Sequence, residues 1–327
     1  MESACTNHAG AMTDQVSTAD GLGRPAGKGE TALTVWERAS FSVIHGAVAG
    51  LLAVSSLAWL YRIGRVFGTL EWVINYKRRG RFAAALQNVL GRRPAPSERR
   101  KHAREFFMRT RCDKLFYLIV DCVPRGEAAE LLTVVNPHLL EWAIAQGNGV
   151  YVAMSHHGPQ HLAAMLMALN GHKIAGVRDR REGGIRRYVQ DRFDRRYPDF
   201  RRMRVLFADS YPRDLYRCFH ERYLVGSAMD VDRLRDPRQK TEEVEVLGKK
   251  RLYLSGPLRV AIRCKAPVLQ AFIIPEKNFR YTLDFVTVLV DPTEAGNDEA
   301  AVSRAMGVYA ANVEKYLKEM PSLMTRL

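Results

Sequence analysis

The sequence predicts an α/β fold with a mixed, largely parallel sheet flanked by helices, and three observations lead there. Short apolar runs rich in β-branched residues recur at 149–154, 173–177, 205–207, 224–229, 244–247, 268–274 and 281–290, each of strand length. Patterns of helical period fall between several of them, and strands alternating with helices assemble into such sheets. The chain has 327 residues, 47% hydrophobic and 26% charged, which is enough material for one large buried core.

Residues 1–30 are rich in Gly, Ala, Thr and Asp without periodicity and read as a disordered tail. They lack the charged-then-apolar layout of a secretory signal. Residues 31–80 read as membrane-anchoring or interfacial helices, and 81–327 as one catalytic domain. The apolar stretch 41–60, with Val43, Ile44, Leu51, Leu52 and Leu57, approaches the ~20 residues a bilayer-crossing helix needs. His45, Ser42, Ser55 and Ser56 weigh against a span. Trp59 and Tyr61, followed by Arg62, Arg65, Lys77, Arg78, Arg79 and Arg81, mark a membrane interface with its basic side cytoplasmic. A single span, an interfacial anchor and an ordinary core helix all remain open.

Further on, 82–90 reads as a short helix, and the Gly91 to Pro96 segment forces a loop. Ser97 is placed to cap a long helix running to about Val120. Pro137 suits the first turn of a helix ending near Gly147, and a last helix covers 299–319.

The chemistry concentrates where the run Val150-Tyr151-Val152-Ala153-Met154 stops at Ser155-His156-His157-Gly158-Pro159-Gln160-His161. An apolar strand, a Gly-Pro break and a helical pattern over 160–169 put His156 at a strand's carboxyl end, where α/β sheets open their ligand crevice. His161 follows five residues later, near the same opening. An imidazole with an ordinary pKa of ~6.5 can take a proton at neutral pH, and works better when a neighbour fixes its tautomer. A capping or carbonyl-bonded histidine would look the same in sequence. A metal reading of His156, His157, His161 and His172 lacks the H-x-x-x-H spacing with a following acid, so no metal is expected.

Fifty Lys and Arg against 35 Asp and Glu give a formal charge of +15, which points to an anionic partner such as a phospholipid surface or an acidic carrier protein. Arginines crowd the region after the second predicted strand, from Arg178 to Arg196, and planar guanidinium donors suit phosphate. They form no recognised nucleic-acid module, and no nucleic-acid partner is expected. Five scattered cysteines without C-x-x-C spacing fit a reducing compartment.

Several blocks in order resemble the late acyltransferases of lipid A biosynthesis, within the lysophospholipid acyltransferase superfamily. The residues from Asn136-Pro137-His138 through Gly147-Asn148-Gly149-Val150 resemble that family's helix, turn and apolar strand. His156 falls at the family's catalytic base position, in a block that typically carries His and an acidic residue separated by four. Arg178 matches the arginine of the second block, Asp230-Val231-Asp232 resembles Asp-Gln-Asp, and Ser255-Gly256-Pro257-Leu258 resembles the Gly-Pro helix. The likeness covers roughly 40–327.

The resemblance implies an acyltransferase that moves a fatty acyl chain from acyl carrier protein or acyl-CoA to a hydroxyl, or an amine, of a lipid or glycolipid acceptor. His156 would be the base and His161 its orienting partner. Arg178, Asp230, Asp232, Gly256 and Pro257 would bind or shape the substrate site. The place implied is the cytoplasmic face of the inner membrane, with anionic lipid as partner and no cofactor. One departure matters: His161 stands where the family has its acid. A His–His pair, a carboxylate from Asp230 or Asp232, or a weakened relative that only binds lipid or a partner would each account for it.

Overall fold

In the computed structural model the described residues are 33–178, 184–197, 203–207, 212–231, 239–294 and 299–325. The tail expected at 1–30 and Asp232 lie outside them. Nine strands are described: β1 (Leu132–Val135), β2 (Val150–Met154), β3 (Ile174–Arg178), β4 (Arg204–Phe207), β5 (Leu224–Ala228), β6 (Thr241–Val246), β7 (Lys249–Leu254), β8 (Val268–Pro275) and β9 (Tyr281–Val290). Seven form one sheet in the order β1-β9-β8-β2-β5-β3-β4, while β6 and β7 make a separate hairpin. Only the β8–β9 pair is antiparallel in the large sheet. The mixed, mostly parallel sheet expected from the sequence is therefore present.

The helices are α1 (Val35–Ala53), α2 (Leu57–Ile74), α3 (Tyr76–Leu90), α4 (Pro96–Ile119), α5 (Arg125–Glu130), α6 (Pro137–Ala145), α7 (Gln160–Leu169), α8 (Gly184–Arg196), α9 (Pro212–His220), α10 (Gly256–Arg263) and α11 (Glu299–Glu319). β2 is buried on both faces, as a central parallel strand must be. Val150, Val152 and Met154 belong to one core with α7 and α8, and Tyr151 and Ala153 to another with α9, α10 and α11. The chain thus leaves β2 toward one face and arrives at β8 from the other. Between those departures, at the carboxyl ends of β2 and β5, the sheet has its topological switch point.

Of the three readings open for the N-terminal segment, the structure tells against the single span. Among the described residues no helix is long and apolar enough to cross a membrane. The apolar run is cut at Val54–Ser56, and the serines are the cause. Ser55 Oγ donates to the carbonyl of Leu51 (2.6 Å), and Ser56 Oγ caps α2 by accepting from Trp59 N (3.3 Å). α2 then packs along α4 through Leu60, Tyr61, Gly64 and Gly68. α1 is tied inward by buried His45, whose Nε2 lies 3.0 Å from Asp121 Oδ1, while Arg192 Nε of α8 donates to Oδ2 at 2.8 Å. Residues 33–327 form one compact unit, with these helices inside it.

Three local readings also change. Ser97 does not cap α4: Ala95 holds that position, Pro96 takes the first turn, and Glu98 accepts from Ala95 N (3.3 Å). β1 is an additional edge strand, and β7 pairs with β6 across a two-residue turn. Leu247 and Gly248 both have positive φ there (56° and 68°), the geometry of a type I′ hairpin.

The α2–α4 contact makes a paired prediction. A Cβ on Gly68 would lie 2.4 Å from Met108 Cα, so Gly68→Ala should cost about 1–3 kcal/mol by overpacking. Gly80, exposed in α3 with nothing within 4 Å, should gain up to about 1 kcal/mol on the same change. Urea midpoints of opposite sign check it; equal gains would mean that the helices do not meet at Gly68.

Candidate active site

β2 and β5 are parallel neighbours in register, Val150 opposite Leu224 through Met154 opposite Ala228. Two residues past each strand stand His156 and Asp230, which the same register sets side by side. The ladder continues one more rung, Met229 N donating to Met154 O at 3.1 Å, and then changes hands. The next rung would run from His156 N to the carbonyl of Met229. That carbonyl is taken by Leu254 N (3.0 Å), and His156 N instead meets the Asp230 carboxylate at 3.0 and 2.8 Å. On its other side the His156 carbonyl accepts from Thr325 N (3.1 Å) and Thr325 Oγ1 (2.6 Å). Both main-chain polar groups are held, so the imidazole starts from a fixed backbone.

The ring is held too. His156 Nδ1 lies 2.8 Å from Asp230 Oδ1, and the two side chains are 19% and 14% exposed. A carboxylate oxygen accepts, so Nδ1–H is the donor in this contact and Nε2 is the ring nitrogen turned away from Asp230. This is the arrangement of a general base: one nitrogen anchored and charge-compensated, the other free to take a proton. Tyr309 OH of α11, donating to Met154 O at 2.7 Å, braces the strand end from beneath.

His161 does not occupy the orienting position expected of it. It is the second residue of α7, and its ring stands edge-on to Tyr117, centroids 4.6 Å apart. One residue past His156, the chain at His157 turns toward the C-terminal segment. Helical departure at Gln160 then sends His161 along α7 rather than back to His156. His157 is structural: it is buried, and its Nε2 donates to Met320 O at 3.0 Å. Burial pushes its pKa down to about 4, so it is neutral. Gly158 (φ +81°) follows because a Cβ there would lie 2.0 Å from the carbonyl of Ile273.

Arg178 ends β3, the strand on the far side of β5, so the backbones of His156, Asp230 and Arg178 line one edge of three consecutive strands. Gly256 and Pro257 open α10 and sit near the Asp230 corner by way of Leu254, whose N–H is bonded to Met229 O. A Cβ at Gly256 would meet open space, so no close approach demands that glycine. Sequence reasoning missed Thr325, since nothing local marks a C-terminal threonine as the partner of a strand-end carbonyl.

Among the described residues, the His/Cys/acid group compact enough to share an ion is His45, Asp121 and Cys122, not the histidine block. Asp121 is already shared between His45 and Arg192, and burial pushes the Cys122 thiol up to about 11. That group serves to hold α1 against α8.

A mostly parallel α/β sheet thus carries a histidine–carboxylate pair at its switch point. The family comparison agrees: the pattern of the bacterial lipid A biosynthesis acyltransferases matches residues 29–322, nearly the whole chain. The chain belongs to that family, and is by that membership an acyltransferase. A search of curated proteins finds no match.

His157 gives a pH prediction. Its folded pKa lies below the ordinary ~6.5, so the unfolded chain binds the extra proton first, and stability falls as pH drops from about 6.5 toward 4. Asp113, pushed up to about 7 by burial, acts in the opposite sense over the same range, so a difference measurement is needed. Relative to wild type, His157→Gln should gain about 2 kcal/mol in urea unfolding between pH 7 and pH 5. A pH-independent difference would mean that His157 is not buried as a neutral ring.

Proposed function

We propose that this chain transfers a fatty acyl group from an acyl thioester, acyl carrier protein or acyl-CoA, to a hydroxyl of a lipid or glycolipid acceptor. The observation that carries the reading is the contact of His156 Nδ1 with Asp230. In the proposed reaction the acceptor hydroxyl gives its proton to His156 Nε2 while its oxygen attacks the thioester carbonyl. The tetrahedral intermediate collapses, the carbon–sulfur bond breaks, and the imidazolium returns the proton to the departing thiolate. Asp230 stabilises the imidazolium through Nδ1–H, the service that the family's acidic residue would render and that an imidazole in its place would not. An amine acceptor is served by the same geometry. Arg178 holds an anionic group of substrate at the neighbouring strand end.

The site works at the cytoplasmic face of the inner membrane, where α1 and α2 lie in the interface. Their outward faces support this, since Val35, Trp36, Val43 and Val54 of the first helix region and Val66, Phe67, Leu70 and Ile74 of the second are exposed large apolar side chains. Arg62 stacks over exposed Trp59 at 5.3 Å, an aromatic–cation pairing suited to a headgroup layer.

Acyl transfer to a lipid acceptor is the test. His156→Ala should lose about 10²–10⁴ in rate, as expected for a general base. Asp230→Asn should lose up to about 10⁴ with little change in stability, by analogy with the orienting carboxylate of hydrolase triads. His161→Gln should lose less than Asp230→Asn. Equal activity in wild type and His156→Ala rejects His156 as the base, and no transfer by wild type favours a relative that only binds lipid; the reverse order of the other two restores His161 as the partner.

A further inference from the structure

A cleft of about 490 Å³ lies between α2, α4 and the β8–β9 turn, lined in part by Tyr61, Arg65, Glu105, Arg109, Lys277 and Arg280. We propose that it is a binding site for the phosphate of a membrane lipid headgroup, separate from the His156–Asp230 pair. Four cationic side chains line it against two carboxylates, Glu105 and Glu276. Glu105 is divided between Arg109 (2.8 Å) and Arg65 (4.0 Å), and Glu276 accepts from Thr282 Oγ1 (2.5 Å). Lys277 and Arg280 are exposed, and among the described residues neither side chain has a bonded or ionic partner. The cleft therefore keeps a surplus of positive charge with donors to spare, which suits a phosphate oxygen set.

The turn that presents these cations is held against its backbone preference. Asn278 and Phe279 have φ of 57° and 59°, a left-handed conformation that a bulky residue rarely adopts. The strain is met by burying Phe279, stacked on Phe116 (centroids 5.2 Å) and edge-on to Tyr61 (5.3 Å). That one ring fixes the turn to α2 and α4, with Lys277 and Arg280 on either side of it. Arg109 also donates to the carbonyl of Pro275, so α4 is tied to the end of β8.

Two features of position select a lipid headgroup. β8 runs parallel to β2, so Ile274 and Pro275 of the cleft lie at the same edge of the sheet as His156, just past the Ile273 carbonyl that packs on Gly158. And α2, which supplies Tyr61 and Arg65 to the cleft, carries the exposed apolar Val66, Phe67 and Leu70 on another face of the same helix. The helix that offers the cations thus also offers apolar surface to a membrane. Assigning the bound lipid as acceptor rests on the proposed transferase reading; the binding itself does not.

Full-length protein is tested for binding to phosphatidylcholine vesicles with and without phosphatidylglycerol, and to inorganic phosphate by 31P NMR at constant ionic strength. Lys277→Glu/Arg280→Glu should weaken binding to the anionic vesicles at least about tenfold, at roughly 1 kcal/mol per basic residue near a charged surface. The milder Lys277→Gln/Arg280→Gln should fall between, which guards against a folding defect. Lys249→Glu/Lys265→Glu makes the same charge change on the hairpin and at the opposite edge of the sheet, and should bind like wild type. Equal losses in both charge-reversal pairs would reduce the effect to net charge and overturn the site. Phosphate line broadening abolished by the cleft variant with vesicle binding unchanged would make it a free-phosphate site and overturn the lipid assignment. Because binding is read without turnover, an inactive His156→Ala that still binds anionic vesicles leaves this site standing when the mechanism is judged, and an active enzyme with an unaltered cleft variant does the converse.

Discussion

The Asp230 carboxylate is the constraint on which the site depends. It replaces a rung of the parallel ladder, accepting the His156 main-chain N–H that would otherwise go to Met229 O, and with Oδ1 also faces His156 Nδ1. Charge-assisted hydrogen bonds of this kind are roughly twice as strong as neutral ones. One side chain therefore sets the strand end, the ring orientation and the tautomer together. The ladder ends where it does because Leu254 takes Met229 O and Thr325 takes the carbonyl of His156. The hairpin and the C-terminus thus converge on two residues of the sheet edge.

Much of the fold was legible because β2 and β8 are buried along nearly their whole length and read as almost continuous apolar runs. β9 and α11 match the expected 281–290 and 299–319, and α7 matches 160–169. What failed was the edge and the exposed hairpin. β1 is four residues long at the margin of the sheet, and β7 (Lys-Lys-Arg-Leu-Tyr-Leu) spends three positions on charge. The apolar stretch 41–60 was ambiguous for a definite reason. Its composition nearly suffices for a span, and only the hydrogen bonds of Ser55 and Ser56 break it into two helices that share faces between the core and the outside.

At the site, residue types were legible but their pairing was not. His156, Asp230 and Arg178 each stand at a strand end, which periodicity can find. That β5 rather than another strand lies beside β2 is a matter of topology, and the offset of 74 residues between His156 and Asp230 leaves no trace in local sequence. His161 was the natural partner by spacing. Yet the stretch from left-handed Gly158 into the first turn of α7 turns its side chain onto Tyr117. The carboxylate that meets His156 therefore comes from the neighbouring strand rather than from within the same loop.

Electrostatics and burial divide the labour among the histidines. His157, one residue from His156, is kept neutral by burial and bound to Met320 O, while His45 anchors α1 through Asp121. His156 combines a fixed backbone, a carboxylate at one nitrogen and partial exposure. The most direct measurement of that claim is 15N NMR of the His156 ring at neutral pH in wild type and in Asp230→Ala. The proton should reside on Nδ1 in wild type and redistribute between the two nitrogens when the carboxylate is removed. A wild-type ring protonated at Nε2, or a tautomer indifferent to Asp230, would contradict the account.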